Sequence, residues 1–292
     1  GPLALSPGKA GSPGFILAFQ ALPSVIFFAA LMELLYYMGI MERLIRLFAK
    51  VFVKVMGISG AESLCASAQI FLGIESNLTI RPYLKEMTPS ELMVVLTTGM
   101  ATIASSVLGF YVIILSGALP KVAGHLISAS ILLAPAAILA SKVLFPETGS
   151  PRTLGKVVAV DYQKAANPIE AVINGAMTGV KMLVGIGALL IAFIGIVALF
   201  DSGLHYLGKL IGSAAGTTVD LSLNHLLGYI FYPFTVAMGV PLDDAPQIAR
   251  IIGERIIMTE VKSYQDLSTL VQAGKIVHER SVFIATYALC GF

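Results

Sequence analysis

Long apolar runs separated by short polar stretches dominate this chain. Windows without Asp, Glu, Lys or Arg cover residues 10–32, 92–120, 122–141 and 182–200. Each window is close to the ~20 residues that a helix needs to cross the hydrocarbon core, so the pattern predicts four membrane spans. A fifth window, 221–242, is interrupted by polar residues, glycine and proline. Three structures stay open for it: a span, an interfacial helix, or a helix broken midway.

The segment 66–83 interrupts the apolar pattern with a row of polar side chains. It reads ASAQIFLGIESNLTIRPY, with Glu75, Ser76 and Asn77 between two apolar stretches. Charged groups are costly in hydrocarbon and mark binding or ion sites in membrane proteins. For Glu75, a structural carboxylate that caps a broken helix is the alternative. The segment is our first candidate for a binding site.

Capping chemistry predicts how this segment folds. Ser59 and Glu62 form a capping box, which starts a helix near Gly60. From there to Ile74 the helix is about 15 residues, or ~22 Å, long, which is short of the ~30 Å hydrocarbon core. A second capping box lies in the sequence TPSE at 88–91. We expect a re-entrant hairpin whose tip is buried in protein or lines an aqueous cavity, because lipid cannot satisfy an open backbone.

A second hairpin is expected over residues 244–278. Asp244 and Gln247 around Pro246 form a looser capping motif. The charged residues that follow make this segment too polar to span the membrane facing lipid. An apolar helix follows each hairpin, and this order indicates an internal structural repeat.

Residues 42–56, ERLIRLFAKVFVKVM, carry basic residues three to four apart with apolar residues between them. This pattern is typical of an amphipathic helix lying in the membrane interface. By the positive-inside rule, its basic face indicates the cytoplasmic side.

Composition supports an integral membrane protein. Of the 292 residues, 57% are hydrophobic and 12% are charged, far from the averages of soluble domains. The net charge of +2 is small and its basic residues are scattered, so no nucleic-acid partner is expected. Cys65 and Cys290 stand in apolar sequence and are expected to be buried hydrophobes. His125 and His225 are isolated, so no metal-ligand spacing is present.

The ends of the sequence suggest a piece of a longer membrane protein. Gly1 stands where a start methionine is expected, and the apolar run 281–292 stops after about 12 residues, or ~18 Å. That run is too short to cross a bilayer. We expect the first and last membrane helices to lie outside this sequence.

One enzymatic alternative is an intramembrane serine protease. The sequence Gly57-Ile58-Ser59-Gly60 matches a G-x-S-G pattern. A nucleophilic serine needs a histidine within hydrogen-bond reach, whereas Ser59 is already expected to cap a helix with Glu62. We therefore expect no enzyme.

A set of motifs in consistent order resembles the concentrative nucleoside transporter family. The motifs are GFILAF, LPSVIFFAALMELLYYMGIM, MGISGAES, AQIFLG, IRPYL, MTPSELM, ATIASSVLG, MLVGIGALLIAFIGIVAL, MGVPL and ALCGF, between Gly14 and Phe292. The resemblance implies an all-α membrane protein with two opposed re-entrant hairpins and inverted repeats. It implies a homotrimer in a bilayer, in the bacterial inner membrane, that imports nucleosides with sodium or protons by elevator-like alternating access. No cofactor is implied.

The resemblance also implies substrate-binding positions. At the first tip, the family's base-reading amide is matched by Ile74, its threonine by Glu75, and its base-reading glutamate by Ser76. Val107 matches an apolar substrate contact. The ribose-binding glutamate of the second hairpin and an aromatic beside the substrate are matched by Glu260 and Phe292. Because the tip departs from the family pattern, another small polar solute or a modified nucleoside is the alternative cargo.

The family's sodium site is matched by oxygen-bearing positions of this chain. Gln69 takes the place of an asparagine side chain, Leu72 supplies a backbone carbonyl, and Thr102 with Ile103 takes the place of a serine and its neighbour. Glu75 offers a proton-coupling alternative. Gln69 could instead serve tight helix packing, and Glu260 could form a salt bridge with Arg255 or Lys262.

The resemblance supplies no role for Glu33, which stands in the first span and is expected to face the protein interior or an interface. The first half of the chain is expected to contain a scaffold helix (14–40), an interfacial helix (41–57), hairpin 1 (58–87) and two transport helices (88–146). A cytoplasmic connection (147–180) leads to a scaffold helix with its loop (181–220). A membrane or interfacial helix (221–243), hairpin 2 (244–278) and the start of a last helix (279–292) follow.

Overall fold

The computed structural model describes residues 21–119, 121–158, 165–215 and 221–291, with the backbone alone at 74, 75, 77, 78 and 212–215. We number the helices in chain order as α1 (Pro23–Tyr37), α2 (Ile40–Met56), α3 (Gly60–Leu72), α4 (Pro89–Ala101), α5 (Ser105–Leu115), α6 (Val122–Leu144), α7 (Pro168–Ala215), α8 (Leu223–Ala237), α9 (Ala245–Ile257), α10 (Glu260–Gln272) and α11 (Glu279–Ala288). Two 3₁₀-helices, Gly73–Ile80 and Leu84–Glu86, lie between α3 and α4. We call Gly73–Ile80 the tip.

Three stretches of the described residues are long and apolar enough to cross a membrane: Pro89–Leu115, Val122–Leu144 and Pro168–Ile211. They confirm three of the four expected spans. The window 10–32 lies partly outside the described residues, and its described part forms α1. The bent pair α1 and α2, at 78° to each other, is a fourth candidate span.

The expected amphipathic helix is present as α2, and its place in the membrane interface stays a prediction. Its buried residues, Met41, Ile45, Ala49 and Phe52, repeat every three to four positions, whereas its basic residues lie on the other side. The bend that separates it from α1 lies at Gly39, which has a φ of 73°. A side chain is strained at this angle, which explains the glycine.

The structure moves one predicted helix boundary and gives bounds to a helix that the sequence left ambiguous. The long helix α7 begins at Pro168, inside the region expected as a connection up to residue 180. The Asn167 side chain accepts the amide N–H of Glu170 at 2.8 Å, and proline fits the first helical position. The ambiguous window 221–242 forms α8, a 15-residue helix of ~22 Å that is too short to span hydrocarbon unaided.

The described residues fall into two compact units. The first contains residues up to 99, 103–113 and 134–185, and the second contains 100–102, 114–133 and the chain from 186 onward. In the first unit, a core of apolar side chains joins α1, α2, α3, α4 and the tip: Tyr36, Met41, Ile45, Leu64, Cys65, Ala68, Ile80 and Val95.

Helix α1 packs tightly on α7 in the first unit. A Cβ added to Gly175 would lie 2.7 Å from the carbonyl oxygen of Ala29, and one added to Gly179 would lie 2.6 Å from the Cα of Ile26. The two glycines are four residues apart and form the small-xxx-small pattern that lets membrane helices approach closely. This contact fixes the face of α1 that points at α7.

Both capping boxes that the sequence predicts at Ser59 and Thr88 are present. The Ser59 hydroxyl accepts from the amide of Glu62 at 3.2 Å, and the Glu62 carboxylate accepts from the amide of Ser59 at 2.8 Å. Thr88 and Glu91 repeat the exchange at 3.2 and 2.7 Å. The starts of α3 and α4 are therefore fixed by local sequence.

Lys142, at the end of α6, connects these two helix starts. Its Nζ lies 2.5 Å from the second carboxylate oxygen of Glu62 and donates to the Ser90 hydroxyl at 2.9 Å. It also lies 3.6 Å from Glu147, which accepts from the Thr88 hydroxyl. Glu62 is 1% exposed, so this ammonium group offsets the cost of a buried charge.

The segment 151–156 lies across the start of α3. The amide of Gly60 donates to the Thr153 carbonyl at 2.8 Å, and the amide of Ala61 donates to the Thr153 hydroxyl at 3.1 Å. A Cβ on Gly60 would lie 2.0 Å from the carbonyl oxygen of Lys156. Only glycine allows this approach.

In the second unit, α8 and α9 pack through glycines. A Cβ on Gly228 would lie 2.7 Å from the Arg250 side chain, and one on Gly253 would lie 2.7 Å from the Cβ of Leu227. Helices α9 and α10 are separated at Met258 and Thr259. Farther along α10, the Ser268 hydroxyl donates to the Ile114 carbonyl at 3.1 Å.

The prediction that the Asp244 side chain caps the following helix is wrong. Helix α9 does begin at Ala245, but the Asp244 side chain makes no cap hydrogen bond to it. The backbone angles at Asp244 are already helical, which points the carboxylate away from the α9 amides. It accepts instead from the amides of Val277 and His278 at 2.8 and 3.0 Å and from the Ser281 hydroxyl at 2.6 Å. Asp244 thus fixes the approach to α11.

Removal of the ammonium group of Lys142 is expected to destabilise the first unit. In Lys142→Met the buried Glu62 loses its counter-charge, which costs roughly 3 kcal/mol. The double variant Glu62→Gln/Lys142→Met should recover most of this loss, because glutamine still accepts at the cap and is neutral. Unfolding can be followed by labelling of the buried Cys65 and Cys290 with a thiol dye. Lys85→Met, at an exposed site, is the control, and an equal loss there would contradict the assignment.

Asp244 predicts a pH-dependent contribution to stability. Burial opposes its ionisation, but hydrogen bonds from Ser281, Val277 and His278 outweigh burial and lower the pKa of Asp244 to about 2. Because the folded-state pKa lies below the unfolded one, the stabilisation is complete above about pH 4 and is lost as the pH falls toward 2. Asp244→Asn should cost roughly 2 kcal/mol at pH 7.

The difference between wild type and Asp244→Asn in thermal midpoint should shrink between pH 4 and pH 2. Asp243→Asn, at the exposed neighbouring position, is the matched control and should leave the midpoint nearly unchanged. A difference between wild type and Asp244→Asn that stays constant down to pH 2 would contradict the assignment.

Candidate functional site

An apolar span of the structure is broken at its middle. Within Pro89–Leu115, the residues Thr102, Ile103 and Ala104 leave the helical conformation between α4 and α5. Thr102 and Ile103 are buried. Backbone that is not helical at membrane depth leaves N–H and C=O groups without their usual partners, and it occurs where it is buried in protein or lines a cavity. We call residues 102–104 the break.

The tip begins against this break. Helix α3 ends at Leu72 after 13 residues, and Gly73 follows with a φ of 61°. A Cβ on Gly73 would lie 3.1 Å from both the Cβ and the amide nitrogen of Ala104. The structure therefore confirms that α3 stops short of a span. The re-entrant path of the whole segment 58–87 stays a prediction.

Two of the expected ion-binding residues lie at the end of α3. Gln69 is fully buried, and its amide nitrogen donates to the Val95 carbonyl at 3.1 Å. This hydrogen bond anchors the amide between α3 and α4 and fixes the direction of its oxygen. Leu72 lines a cavity described below. This contact between two helices supports the alternative that Gln69 serves tight helix packing.

The polar residues of the tip are placed differently from one another. The backbone of Ile74 and Glu75 lies in the 3₁₀-helix. Ser76 is fully buried, and its carbonyl accepts from the Thr79 hydroxyl at 2.6 Å. A buried Ser76 side chain can contact a substrate only when the tip moves.

Val107 lies in the first turn of α5, directly after the break. Its amide donates to the Ala104 carbonyl at 3.0 Å, and its side chain is half-buried. This is the position expected for an apolar substrate contact. It places a partly accessible apolar group within one helical turn of the break.

In the segment expected to form the second hairpin, Glu260 lies at the start of α10. Its carboxylate accepts from the guanidinium of Arg255 at 3.0 Å, which is the salt bridge weighed as an alternative. Arg255 is buried and also donates to the Leu289 carbonyl at 3.3 Å. Glu260 itself is about one-third exposed. Its carboxylate is thus held in place by Arg255 and still reaches the surface of the second unit.

The remaining charged residues of this segment form a second group. Lys262 binds Asp266 and lies 3.6 Å from Glu254, which is buried. This pairing explains how a segment with so many charges packs inside the second unit. Phe292, expected beside the substrate, lies outside the described residues. A Cβ on its neighbour Gly291 would lie 3.0 Å from the Ala101 carbonyl.

A cavity in the first unit was not predicted. It has ≈ 350 Å³ of empty space, part of it open to the outside. Three of the lining residues, Glu33, Ser106 and Thr178, carry side-chain oxygen, and the others are apolar. The full lining is Ala29, Met32, Glu33, Phe71, Leu72, Ser106, Gly175, Thr178 and Met182. Glu33 faces this cavity, as expected for a charge in an apolar span. The lone acidic residue in that span was the available sequence signal.

The protease alternative has no support in the geometry. Ser59 is fully buried, and its hydroxyl accepts the Glu62 amide as a helix cap. His125 packs on the Phe283 ring at 4.5 Å between centroids, and its Nδ1 lies 3.4 Å from the Tyr287 hydroxyl. In the described part of the chain, no group of three His, Cys, Asp or Glu side chains is arranged to hold a metal ion.

Comparison with known proteins gives two family matches that together cover most of the chain. The family described as "Na+ dependent nucleoside transporter C-terminus" matches residues 125–292, and a family described as "Nucleoside recognition" matches residues 18–118. The chain is similar to human solute carrier family 28 member 3, with 37% identity over 94% of the chain and 40% of that protein. It is also similar to the nucleoside permease NupC of Helicobacter pylori, with 37% identity over 98% of the chain and 66% of that protein.

Solved structures agree with this assignment. The transporter CNTnw in an inward-facing, substrate-bound state matches with a TM-score of 0.84 and 34% identity, over 97% of this chain and 64% of that one. The chain thus spans between two-fifths and two-thirds of the relatives named here. The matches confirm a multi-span membrane transporter fold and the resemblance drawn from the motifs. The chain belongs to the concentrative nucleoside transporter family, whose members are transporters rather than enzymes.

Proposed function

We propose that the protein carrying this chain imports nucleosides by symport with sodium or protons, across a bacterial inner membrane. The observation that carries this proposal is the break in an apolar span, packed against the tip through Gly73 and Ala104. Discontinuous helices of secondary transporters bind substrates and ions where the backbone is unwound. The names of the relatives, among them a sodium/nucleoside cotransporter of mouse, support the same cargo and ion.

The proposed substrate contacts are Ile74, Glu75, Ser76, Val107, Glu260 and Phe292. Val107 and Glu260 have the clearest support, because one follows the break and the other is partly exposed and oriented by Arg255. Base recognition would fall to the tip, which carries Glu75 where the family has a threonine. Movement of the hairpin-bearing part in an elevator-like manner would then expose the site alternately to either side.

The proposed ion site consists of Gln69, Leu72, Thr102 and Ile103. All four lie at the end of α3 or at the break, which combine side-chain oxygens with carbonyls of unwound backbone. These are the ligand types that hard cations take in secondary transporters. Gln69 lengthens the family's asparagine donor by one methylene group, and Thr102 crowds its serine donor with a methyl group. Glu75 is the proposed group for the proton alternative.

A second cargo is favoured by one observation. Ser76 takes the position of a base-reading glutamate, yet its side chain is fully buried in the first unit. A tip of this kind suits another small polar solute or a modified nucleoside. Both cargoes use the same architecture.

The homotrimer and the division into scaffold and transport parts are proposals from the family. The described part of α7 carries many exposed apolar side chains, including Ile191, Leu199 and Phe200. Such a surface requires lipid or another protomer. A trimer would bury part of it.

Uptake of a labelled nucleoside by full-length protein in proteoliposomes tests the proposal. Accumulation should follow an imposed sodium gradient or an imposed proton gradient. If sodium is the coupling ion, Thr102→Val should raise the sodium concentration for half-maximal uptake roughly tenfold, because one neutral oxygen ligand is lost. Thr98→Val is the matched control, since Thr98 is buried on α4 four residues before Thr102 and its hydroxyl donates to the Val94 carbonyl.

The outcomes of this assay separate the alternatives. Absence of accumulation or competition by every nucleoside tested would exclude nucleoside transport and favour the second cargo. Accumulation that responds to neither gradient would contradict symport. A dependence on protons alone, unchanged in Thr102→Val, would exclude the sodium site and leave the proton route.

Glu260→Gln is expected to reduce discrimination between a ribonucleoside and its deoxy analogue. A charge-assisted hydrogen bond to a ribose hydroxyl contributes roughly a factor of ten or more. The preference for the ribonucleoside, measured as the ratio of the two half-maximal uptake concentrations, should therefore fall about tenfold.

Asp266→Asn, which removes a charge paired with Lys262 in the same hairpin, is the control. A Glu260→Gln variant that loses stability but keeps its preference for the ribonucleoside would show that the salt bridge with Arg255 is the whole role of Glu260.

A further inference from the structure

Helix α2 carries exposed surface for which the proposed nucleoside and ion sites have no use. Successive residues of a helix are ~100° apart around its axis, and on this basis α2 divides into three stripes, each about 80° wide. The first stripe is buried in the first unit and consists of Met41, Ile45, Ala49 and Phe52. The other two stripes are exposed, and they differ in chemistry.

The second stripe is basic. It consists of Arg43, Arg46, Lys50 and Lys54, which are all exposed, and we call it the basic stripe. It lies on the side of α2 that is turned away from the buried stripe. The one acidic residue in the sequence of α2, Glu42, pairs with Arg46. With four basic residues against one acidic residue, this side of the helix is positively charged.

The third stripe is apolar, and it lies next to the basic one. Its side chains are between 37% and 76% exposed, and we call it the apolar stripe: Ile40, Leu44, Leu47, Val51 and Val55. A continuous row of exposed apolar side chains marks a surface that is covered by a partner or by lipid. Helices with an apolar stripe beside a basic one insert the apolar side chains among acyl chains and hold the basic ones at the headgroups.

The path of the chain into α2 favours lipid as the occupant of this surface. Helix α1 is apolar, and α2 leaves it at an angle of 78°. The bend lies at Gly39, and the apolar stripe begins at the next residue, Ile40. This is the geometry of a helix that turns from the hydrocarbon into the interface. The basic stripe would then lie at the level of the lipid phosphates.

We propose that α2 binds the headgroups of anionic phospholipids, with the apolar stripe among their acyl chains and the basic stripe on their phosphates. Each Lys or Arg near an anionic surface contributes roughly a fivefold gain in affinity. Phosphatidylglycerol, which has a net negative charge, is therefore preferred over zwitterionic phosphatidylcholine. This binding is independent of the cargo and of the coupling ion.

Bound lipid should stabilise the first unit, because the other side of α2 is part of its core. Met41 and Ile45 of the buried stripe belong to the same apolar core as Cys65. Labelling of the buried Cys65 thiol therefore reports unfolding of the region that α2 holds in place. A ligand that binds the folded state raises the unfolding midpoint as its concentration exceeds the dissociation constant.

Lipid-dependent stability of the purified full-length protein in a neutral detergent, without nucleoside, tests the proposal. One arm titrates phosphatidylglycerol, and the other titrates phosphatidylcholine with the same acyl chains. Phosphatidylglycerol should raise the midpoint of labelling at a lower mole fraction than phosphatidylcholine. High salt should reduce the difference between the two lipids, because it screens exposed charges.

Substitutions on the two exposed stripes should have different effects. Lys50→Gln/Lys54→Gln should raise the half-maximal mole fraction of phosphatidylglycerol more than tenfold and leave the phosphatidylcholine curve unchanged, because two charges are lost. Lys50→Arg/Lys54→Arg keeps both charges and should retain the wild-type preference. Leu47→Ser/Val51→Ser should weaken the effects of both lipids alike, because the apolar stripe does not distinguish headgroups.

Lys121→Gln/Lys275→Gln is the matched control. It removes the same charge at two exposed lysines outside α2 and should leave both lipid curves unchanged. If Lys50→Gln/Lys54→Gln does not yield folded protein, Arg43→Gln decides, with an expected loss of roughly fivefold for phosphatidylglycerol.

Equal stabilisation of the wild type by the two lipids would overturn the proposal. So would an unchanged preference in the variants of the basic stripe, or an equal loss in the control. If Leu47→Ser/Val51→Ser leaves both lipid curves unchanged but lowers the oligomeric mass in light scattering, the apolar stripe is a contact between copies of the chain and the proposal is wrong. The assay measures no transport, so its failure is distinguishable from failure of the proposed function.

Discussion

The ion pair between Glu62 and Lys142 anchors the part of the structure on which the candidate site depends. One carboxylate oxygen of Glu62 caps α3 and the other binds the ammonium group, which also reaches Ser90 at the start of α4. The starts of α3 and α4 and the end of α6 are thereby fixed at one point. From that point α3 runs to the tip and α4 runs to the break. A carboxylate that is 1% exposed is tolerable only because both of its oxygens have partners.

The need to give every buried polar group a partner also explains the structure at both ends of α3 and α4. Inside a bilayer, every N–H and C=O group needs a protein partner. At the N-terminal ends of α3 and α4, side chains from the capping boxes and from Thr153 supply those partners. At the C-terminal end of α3, Gly73 contacts Ala104, which lies between α4 and α5. Open backbone is then concentrated at the place where the proposed function puts the solute and its ion.

Local chemistry was predictable from the sequence, and long-range partners were not. Both capping boxes follow from residues three apart, and the broken α3 follows from its length between a cap and a polar row. The role of Lys142 depends on a contact across 80 residues, for which no local pattern exists. Asp244 shows the reverse case. Its motif predicted a cap, but helical backbone angles turned its carboxylate toward residues 33 to 37 positions away.

The site was predictable only as far as its position. The resemblance pointed to Gln69, Thr102 and Val107, and each of them lies within one helical turn of the end of an interrupted helix. Their roles stay predictions. It could not indicate that Ser76 is buried, because burial depends on how the tip packs. The cavity at Glu33 was likewise hidden, since its lining comes from four helices that meet only in the fold.

The central claim is that the break in the span from Pro89 to Leu115 faces the transported solute. The most direct measurement uses the variant Val107→Cys of the full-length protein. The native Cys65 and Cys290 are buried, so the new cysteine is the accessible one. Its modification by a membrane-impermeant thiol reagent is followed over time. The account predicts that a transported nucleoside slows this modification severalfold, with a concentration dependence that matches its uptake. A modification rate that no transported solute changes would contradict it.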